Sequence, residues 1–241
     1  MAVTGFFHHF GTFFLFVATV LLIITDISSP VVDNISILRV ELGTTKNQGV
    51  THENNFPSVT FGTFGYCTQN VNGDNGWQCS RKMIGYDPVA VIQSHVSGTH
   101  FDTYEHDTSR DLTKVMILHP IATGLAFISF FLALGAGFVG SFLAALGSFI
   151  TFIVLVVVVI TDFVGFGLVK RAVDNANSAV EAQWGVAAWT TLVAGILCLL
   201  ATVILLFTCC SARLHKRRQH NYRESKVAAA STSPPRRRRW W

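Results

Sequence analysis

A chain of 241 residues that is 50% hydrophobic and only 13% charged, with mean hydropathy +0.44, departs from the composition of soluble globular domains and points to a bilayer. The net charge of +4 sums two opposed regions: residues 26–113 hold five Lys or Arg against ten acids, and residues 212–241 hold ten against the single acid Glu224. A soluble enzyme or a uniformly basic nucleic-acid binder fits neither fact.

The first element is Phe6 to Thr25, twenty residues without Lys, Arg, Asp or Glu, after a short segment 1–5. That length suffices to cross about 30 Å of hydrocarbon at about 1.5 Å per residue. A cleaved signal peptide is the competing reading. No basic residue precedes the run, its apolar core exceeds the usual length, and no small-x-small cleavage site stands before Pro30, so a retained anchor fits better.

Residues 26–114 form a long polar loop. Asn34-Ile35-Ser36 is an N-glycosylation acceptor sequence, close to the first span. A short strand is expected near Ile35 to Val40. Val59 to Cys67 reads as another strand, because β-branched and aromatic residues alternate there with glycine. Asn70 to Gly76 is a turn cluster that ends at Trp77 and Cys79. Cys67 and Cys79 are the two cysteines outside the apolar runs, so a disulfide-closed hairpin and a small antiparallel sheet are expected, with about 2 to 3 kcal/mol from loop closure. A zinc site is the alternative, but no His at finger-like spacing supplies further ligands. Residues 94–110 are polar, with no periodicity that defines an element.

Val115 to Phe138, Ser141 to Thr161 and Ala187 to Ser211 are three more charge-free runs, separated by a short turn at 139–140 and a loop at 162–186. The four runs carry only His8, His9 and His119 as ionisable groups, all near ends, which argues against a transporter or proton relay. Gly140, Ala144 and Ser148, and likewise Thr191 and Gly195, recur every four residues and let helix backbones approach; packing within one bundle is the commoner use of such spacing than a dimer face. Pro120 removes one backbone donor near the membrane edge, where water compensates.

The tail 212–241 is basic, so by the positive-inside tendency it is cytoplasmic, as is the N-terminus, and the large loop faces outside where disulfides persist. Arg236, Arg237, Arg238 and Arg239, with Trp240 and Trp241, suit anionic lipid at about 1 kcal/mol per basic residue better than they suit nucleic acid. A solvated tail that merely enforces topology fits the Ser231 to Pro235 segment equally well. Cys209 and Cys210 at the cytoplasmic end of the fourth run are positioned for palmitoylation, or are simply small residues at a helix end.

Three blocks carry a family likeness: Phe61-Gly62-Thr63-Phe64-Gly65-Tyr66-Cys67, then Trp77-Gln78-Cys79-Ser80, then Ile84-Gly85-Tyr86-Asp87. Together they resemble the first extracellular loop of the fungal PalI family, and Leu112 through His119-Pro120 to Ala122 is similar to that family's approach to its second span. The resemblance spans nearly residues 6–210. It implies kinship with eisosomal cortical-patch tetraspan proteins and a claudin-like architecture. The fold class that follows is membrane all-α, a four-helix transmembrane bundle with a small disulfide-closed β-rich extracellular domain. Trp77 precedes the second cysteine, whereas the claudin pattern sets Trp before the first, so the claudin likeness is one of architecture.

The PalI resemblance implies a plasma-membrane accessory of ambient-pH signalling that assists a separate multi-span pH sensor. A structural cortical protein that organises membrane domains and links to the cell wall is the second reading, and adhesion through the external loop a weaker third. Direct sensing is a further possibility: His52, His95, His100 and His106 are external and His119 lies near that face, and imidazoles change charge between about pH 6 and 7. Exposed histidines also titrate without biasing any conformational equilibrium. No nucleophile elbow, phosphate loop or zinc-protease motif is present, so neither an enzyme nor a cofactor is expected. Asp102, Glu105, Asp107 and Asp111 are spaced like a solvated acidic face and lack the glycine and bidentate Glu of a calcium loop.

Overall fold

The computed structural model describes residues 2–42, 57–70, 76–95, 103–135, 138–176 and 180–231. Helix α1 (Ala2–Asp26) is followed by strands β1 (Leu38–Leu42), β2 (Ser58–Gly62), β3 (Gly65–Gln69) and β4 (Trp77–Cys79). Helices α2 (Pro88–His95), α3 (Thr103–Val115), α4 (Leu118–Leu134) and α5 (Phe138–Ala176) come next, then β5 (Val180–Trp184) and α6 (Val186–Ser231). Four stretches are long and apolar enough to cross a membrane: His8–Asp26, His106–Leu134, Gly140–Asp174 and Val186–Ser211. The protein is a multi-pass tetraspan membrane protein.

The bundle core mixes small side chains with the fully buried leucines Leu15, Leu22, Leu155 and Leu205. Ala122, Ala126 and Ala133 on α4 and Ala144 and Ala145 on α5 are fully or almost fully buried, as are Ala194 and Ala201 on α6, while Phe13, Ile128, Ile160 and Phe207 face outward. The many buried alanines let the helix backbones approach closely, as helices that associate in lipid do. Ser148 donates to the Cys198 carbonyl (3.0 Å) and accepts from Thr202 (2.9 Å), so α5 and α6 are also bonded directly. The spaced small residues Ala144 and Ser148 thus serve contacts within the bundle.

The five strands form one antiparallel sheet in the order β4-β3-β2-β1-β5. Leu38, Val40 and Leu42 alternate inward along β1 as the pleat requires. They join Val59, Phe61, Val180 and Ala182 over Phe166, Val169 and Val173 of α5 and Val89 and Ile92 of α2. The sheet therefore has its own core, continuous with one end of the bundle.

Three elements differ from expectation. Residues 59–67 are a hairpin and not one strand: the chain turns at Thr63 and Phe64, with Gly62 paired to Gly65, whose φ of +154° suits glycine. The polar segment 94–110 contributes most of α3, whose Ser109 and Thr113 bury their hydroxyls against neighbouring elements. Finally, α5 continues past Thr161 to Ala176, and 39 residues at about 1.5 Å each is about 58 Å, roughly twice the hydrocarbon thickness. Its far end lies against β5, where the Lys170 ammonium donates to the Ala182 carbonyl. A charge-free run must stop at Asp162, but the helix need not, because Asp162 is buried against a partner.

Candidate functional site

The seam between sheet and bundle begins where α1 ends. Thr63 donates its hydroxyl to the Thr25 carbonyl (3.1 Å) and its backbone N–H to the Ser28 hydroxyl (3.0 Å). Ser29 bonds Thr60 of β2 at 3.3 Å. Gly62 lies directly on this segment: a Cβ there would stand 2.2 Å from the Ser29 carbonyl oxygen, closer than any side chain allows. Glycine at 62 is thus required by backbone-to-backbone contact. Thr25 also bonds Thr190 of α6 at 2.9 Å, so the seat of the sheet is tied to two spans.

Cys67 and Cys79 form a disulfide between directly paired positions of β3 and β4, with Cα atoms 4.0 Å apart. Disulfide, strand pairing and the Ser80 N–H to Tyr66 carbonyl bond (2.9 Å) hold the short edge strand β4 in place. Trp77 is half-buried opposite Gln69 at the far end of that strand, away from the other motif residues.

Those other residues converge. Phe61, Tyr66 and Tyr86 are mutually in ring contact, with centroids 6.2 to 6.3 Å apart, and Phe61 also meets Phe166 of α5 at 6.3 Å. Tyr86 donates its phenol hydroxyl to the Gly62 carbonyl at 2.6 Å, and its own carbonyl accepts from Thr113 of α3 at 2.6 Å. Burial, and secondarily the nearby Asp162 carboxylate, push the phenol well above its usual pKa. Gly85, at φ +73°, turns the chain into this position beside the Lys114 stem.

Asp87 caps α2 and also fastens it to α3. One oxygen accepts from the Ala90 N–H (3.1 Å) and the Ser109 hydroxyl (2.9 Å), and the other meets His106 Nδ1 at 2.7 Å. His106 Nε2 lies 3.0 Å from Gln93 Oε1. Burial raises the Asp87 pKa, but the bonds from His106, Ala90 and Ser109 together outweigh it and hold the carboxyl below its ordinary value.

Below this lies a buried polar node. His119 Nε2 is 3.1 Å from Asp162 Oδ2 and His119 Nδ1 is 3.2 Å from the Met116 carbonyl; both side chains are at most 2% exposed. Thr123, one turn along α4, bonds Asp26 of α1 at 2.6 Å and the His119 carbonyl at 3.0 Å. The node joins α1, α4 and α5. One oxygen each of Asp26 and Asp162 has no hydrogen-bond partner among the described residues. Pro120 is exposed in the first turn of α4, where no helical partner awaits its missing N–H.

Sequence reasoning singled out His119 but missed Asp162 and Asp26. Each is the first acid after a charge-free run, which is the one signal available, and it reads equally well as the end of a span. Of the remaining positions, Asn34 is exposed, Cys209 buried and Cys210 exposed on α6, and His95 half-buried at the end of α2. His52, His100, Asp102, Trp240, Trp241 and Arg236 to Arg239 lie outside the described residues, as does the side chain of Glu105. The described residues contain no group of three or more His, Cys, Asp or Glu side chains placed to hold a metal ion.

The family pattern of SUR7/PalI proteins matches residues 7–201. The chain is 33% identical over 183 residues to pH-response regulator protein palI/prr-5 of Neurospora crassa, covering 75% of this chain and 22% of that protein. It is 29% identical over 125 residues to pH-response regulator protein palI/RIM9 of Emericella nidulans, covering 52% of this chain and 18% of that one. The chain therefore spans about a fifth of the length of the relatives it matches. With the family match running from the first span into the last, through the disulfide-strapped sheet and the His119 node, the chain belongs to the SUR7/PalI family.

Proposed function

We propose that this protein is a plasma-membrane accessory of fungal ambient-pH signalling that stabilises or positions a multi-span sensor complex. The observation that carries the reading is the likeness to a pH-response regulator across three quarters of the chain. A sheet with its own core, strapped by a disulfide and seated on the bundle, supports it by offering a rigid binding surface. No catalytic role is assigned.

The orientation we propose sets both termini in the cytoplasm and the sheet outside, on the strength of the basic tail and the disulfide. In that arrangement Asn34 is a glycosylation site, Cys209 and Cys210 are palmitoylation sites, and Arg236 to Arg239 meet anionic lipid.

The test is the abundance of the pH sensor at the plasma membrane with and without this protein. Loss of sensor when the gene is deleted supports the accessory role. Unchanged sensor, together with static cortical patches formed by this protein in a strain lacking the sensor, moves the assignment to a membrane-organising protein.

A further inference from the structure

We propose that the loop from Arg81 to Ile84 docks the sheet onto the bilayer, with Met83 and Ile84 at the edge of the hydrocarbon and Arg81 and Lys82 on the phosphates of anionic lipid headgroups. The leaflet concerned is the one on the sheet's side of the bundle, away from the basic tail at the other end of α6. The docking does not depend on the signalling role.

The loop is held at a fixed height. Thr63, at the tip of the β2–β3 hairpin, donates to the Thr25 carbonyl within the apolar stretch His8–Asp26. The Met83 N–H donates to the carbonyl of Phe64 on the same tip at 2.9 Å, and the Ser80 hydroxyl accepts from the Tyr66 N–H at 3.1 Å. On its other side Gly85 lies against the Lys114 stem, three residues before the exposed Ile117 that precedes α4. The loop is thus fastened beside two spans where their apolar surface begins.

These attachments leave its apolar side chains uncovered. Met83 is 43% and Ile84 52% exposed, whereas Tyr86, two positions on, is buried in the core. Outside the four spanning stretches, the exposed large apolar side chains among the described residues are Ile27, Val31, Met83, Ile84 and Tyr222. Four of the five belong to segments bound to the hairpin tip: Met83 and Ile84 through Phe64, and Ile27 and Val31 through Ser28, bonded to Thr63, and Pro30, which lies over Gly65. They continue the outward face of α1, where Val20 and Ile23 are also exposed, past the end of the span. An exposed apolar patch marks an interaction site, and one continuous with a lipid-facing surface is covered by lipid.

Charge supports the same occupant. Arg81 and Lys82 are exposed, and neither enters an ion pair among the described residues. Two cations beside two apolar side chains match the layering of an interface, with phosphates above acyl chains. The guanidinium of Arg81 suits a phosphate through paired N–H groups, and the long stems let both charged heads stay at headgroup level.

The test uses the full chain in lipid nanodiscs with a nitroxide on Ile84→Cys in a Cys210→Ser background, since Cys198 and Cys209 are buried and Cys67 and Cys79 are bridged. Collisions with oxygen, which concentrates in hydrocarbon, and with a water-soluble nickel chelate report depth. Oxygen is expected to dominate at position 84 and the chelate at Ala90→Cys, exposed on α2. Met83→Cys carries the same comparison if the first variant does not fold. A label at 84 as open to the chelate as the one at 90 overturns the proposal. A label shielded from both reagents reports protein contact and overturns it as well. Exchange of the Met83 amide then tests the headgroups, in nanodiscs of anionic phosphatidylglycerol against neutral phosphatidylcholine. Each basic residue near an anionic surface is worth about fivefold in an equilibrium, so wild type should be protected up to about 25-fold more in the anionic lipid. Arg81→Gln combined with Lys82→Gln should lose most of that ratio, and an equal ratio in the two proteins overturns the proposal.

Discussion

Removing the Cys67–Cys79 disulfide tests whether the sheet depends on its strap. The bridge spans a sequence separation of 12, and the chain-entropy cost of closing a loop of that size is about 3 kcal/mol. The effect falls on β4, which has three residues and pairs with β3 alone, so packing does little to replace the strap. The core of the sheet, built from β1, β2, β5 and α5, does not include β4 and survives. Cys67→Ala combined with Cys79→Ala is therefore expected to release β4 locally while the bundle remains folded. Hydrogen exchange on the full chain in nanodiscs reads this directly. Protection of the Ser80 amide, which bonds the Tyr66 carbonyl, should fall about a hundredfold, and amides of α6 should not change. Mild reduction of the wild type should give the same pattern. A loss of protection under about twofold at Ser80, or equal loss throughout the spans, would refute the local-strap account.

Three further outcomes follow from the seam. Gly62→Ala places a methyl 2.2 Å from the Ser29 carbonyl and should destabilise the sheet by at least about 2 kcal/mol, read as a fall in melting temperature or in yield of folded protein. Tyr86→Phe keeps the ring stack and leaves the Gly62 carbonyl without its 2.6 Å donor, a loss of about 1 to 3 kcal/mol that thermal unfolding measures. The Asp87 carboxyl is held below its ordinary pKa, so its contribution is present above the unfolded-state value of about 3.9 and is lost as pH falls through the folded value. Wild type should therefore lose stability on the acid side more steeply than Asp87→Asn, and parallel acid limbs would contradict the assignment.

Much of this architecture is legible in the amino-acid order, because lipid imposes a simple pattern. Four charge-free runs, a cysteine pair at close spacing and a glycine-punctuated aromatic stretch lead to four spans and a strapped sheet. What stays hidden depends on contacts between distant residues. Val180 to Trp184 has the alternation of a strand, yet only its pairing with β1, some 140 positions earlier, makes it one. Asp162 looks like the end of a span until His119, 43 positions away, is placed against it. Thr63 and Phe64 read as mid-strand because the residues on both sides favour strands, and the turn is decided by the two glycines that pair across it. Asp87 and His106 stand 19 positions apart, with Gln93 between them, and α2 and α3 must both form before the three can meet.

The central claim is the proposed role of the strapped sheet in the response to ambient pH. Its most direct test is growth of a deletion strain at alkaline pH, scored with processing of the pH-responsive transcription factor. The account predicts that both fail, that the intact gene restores them, and that a gene carrying Cys67→Ser does not although the protein still reaches the membrane. Normal growth and processing in the deletion strain would contradict it.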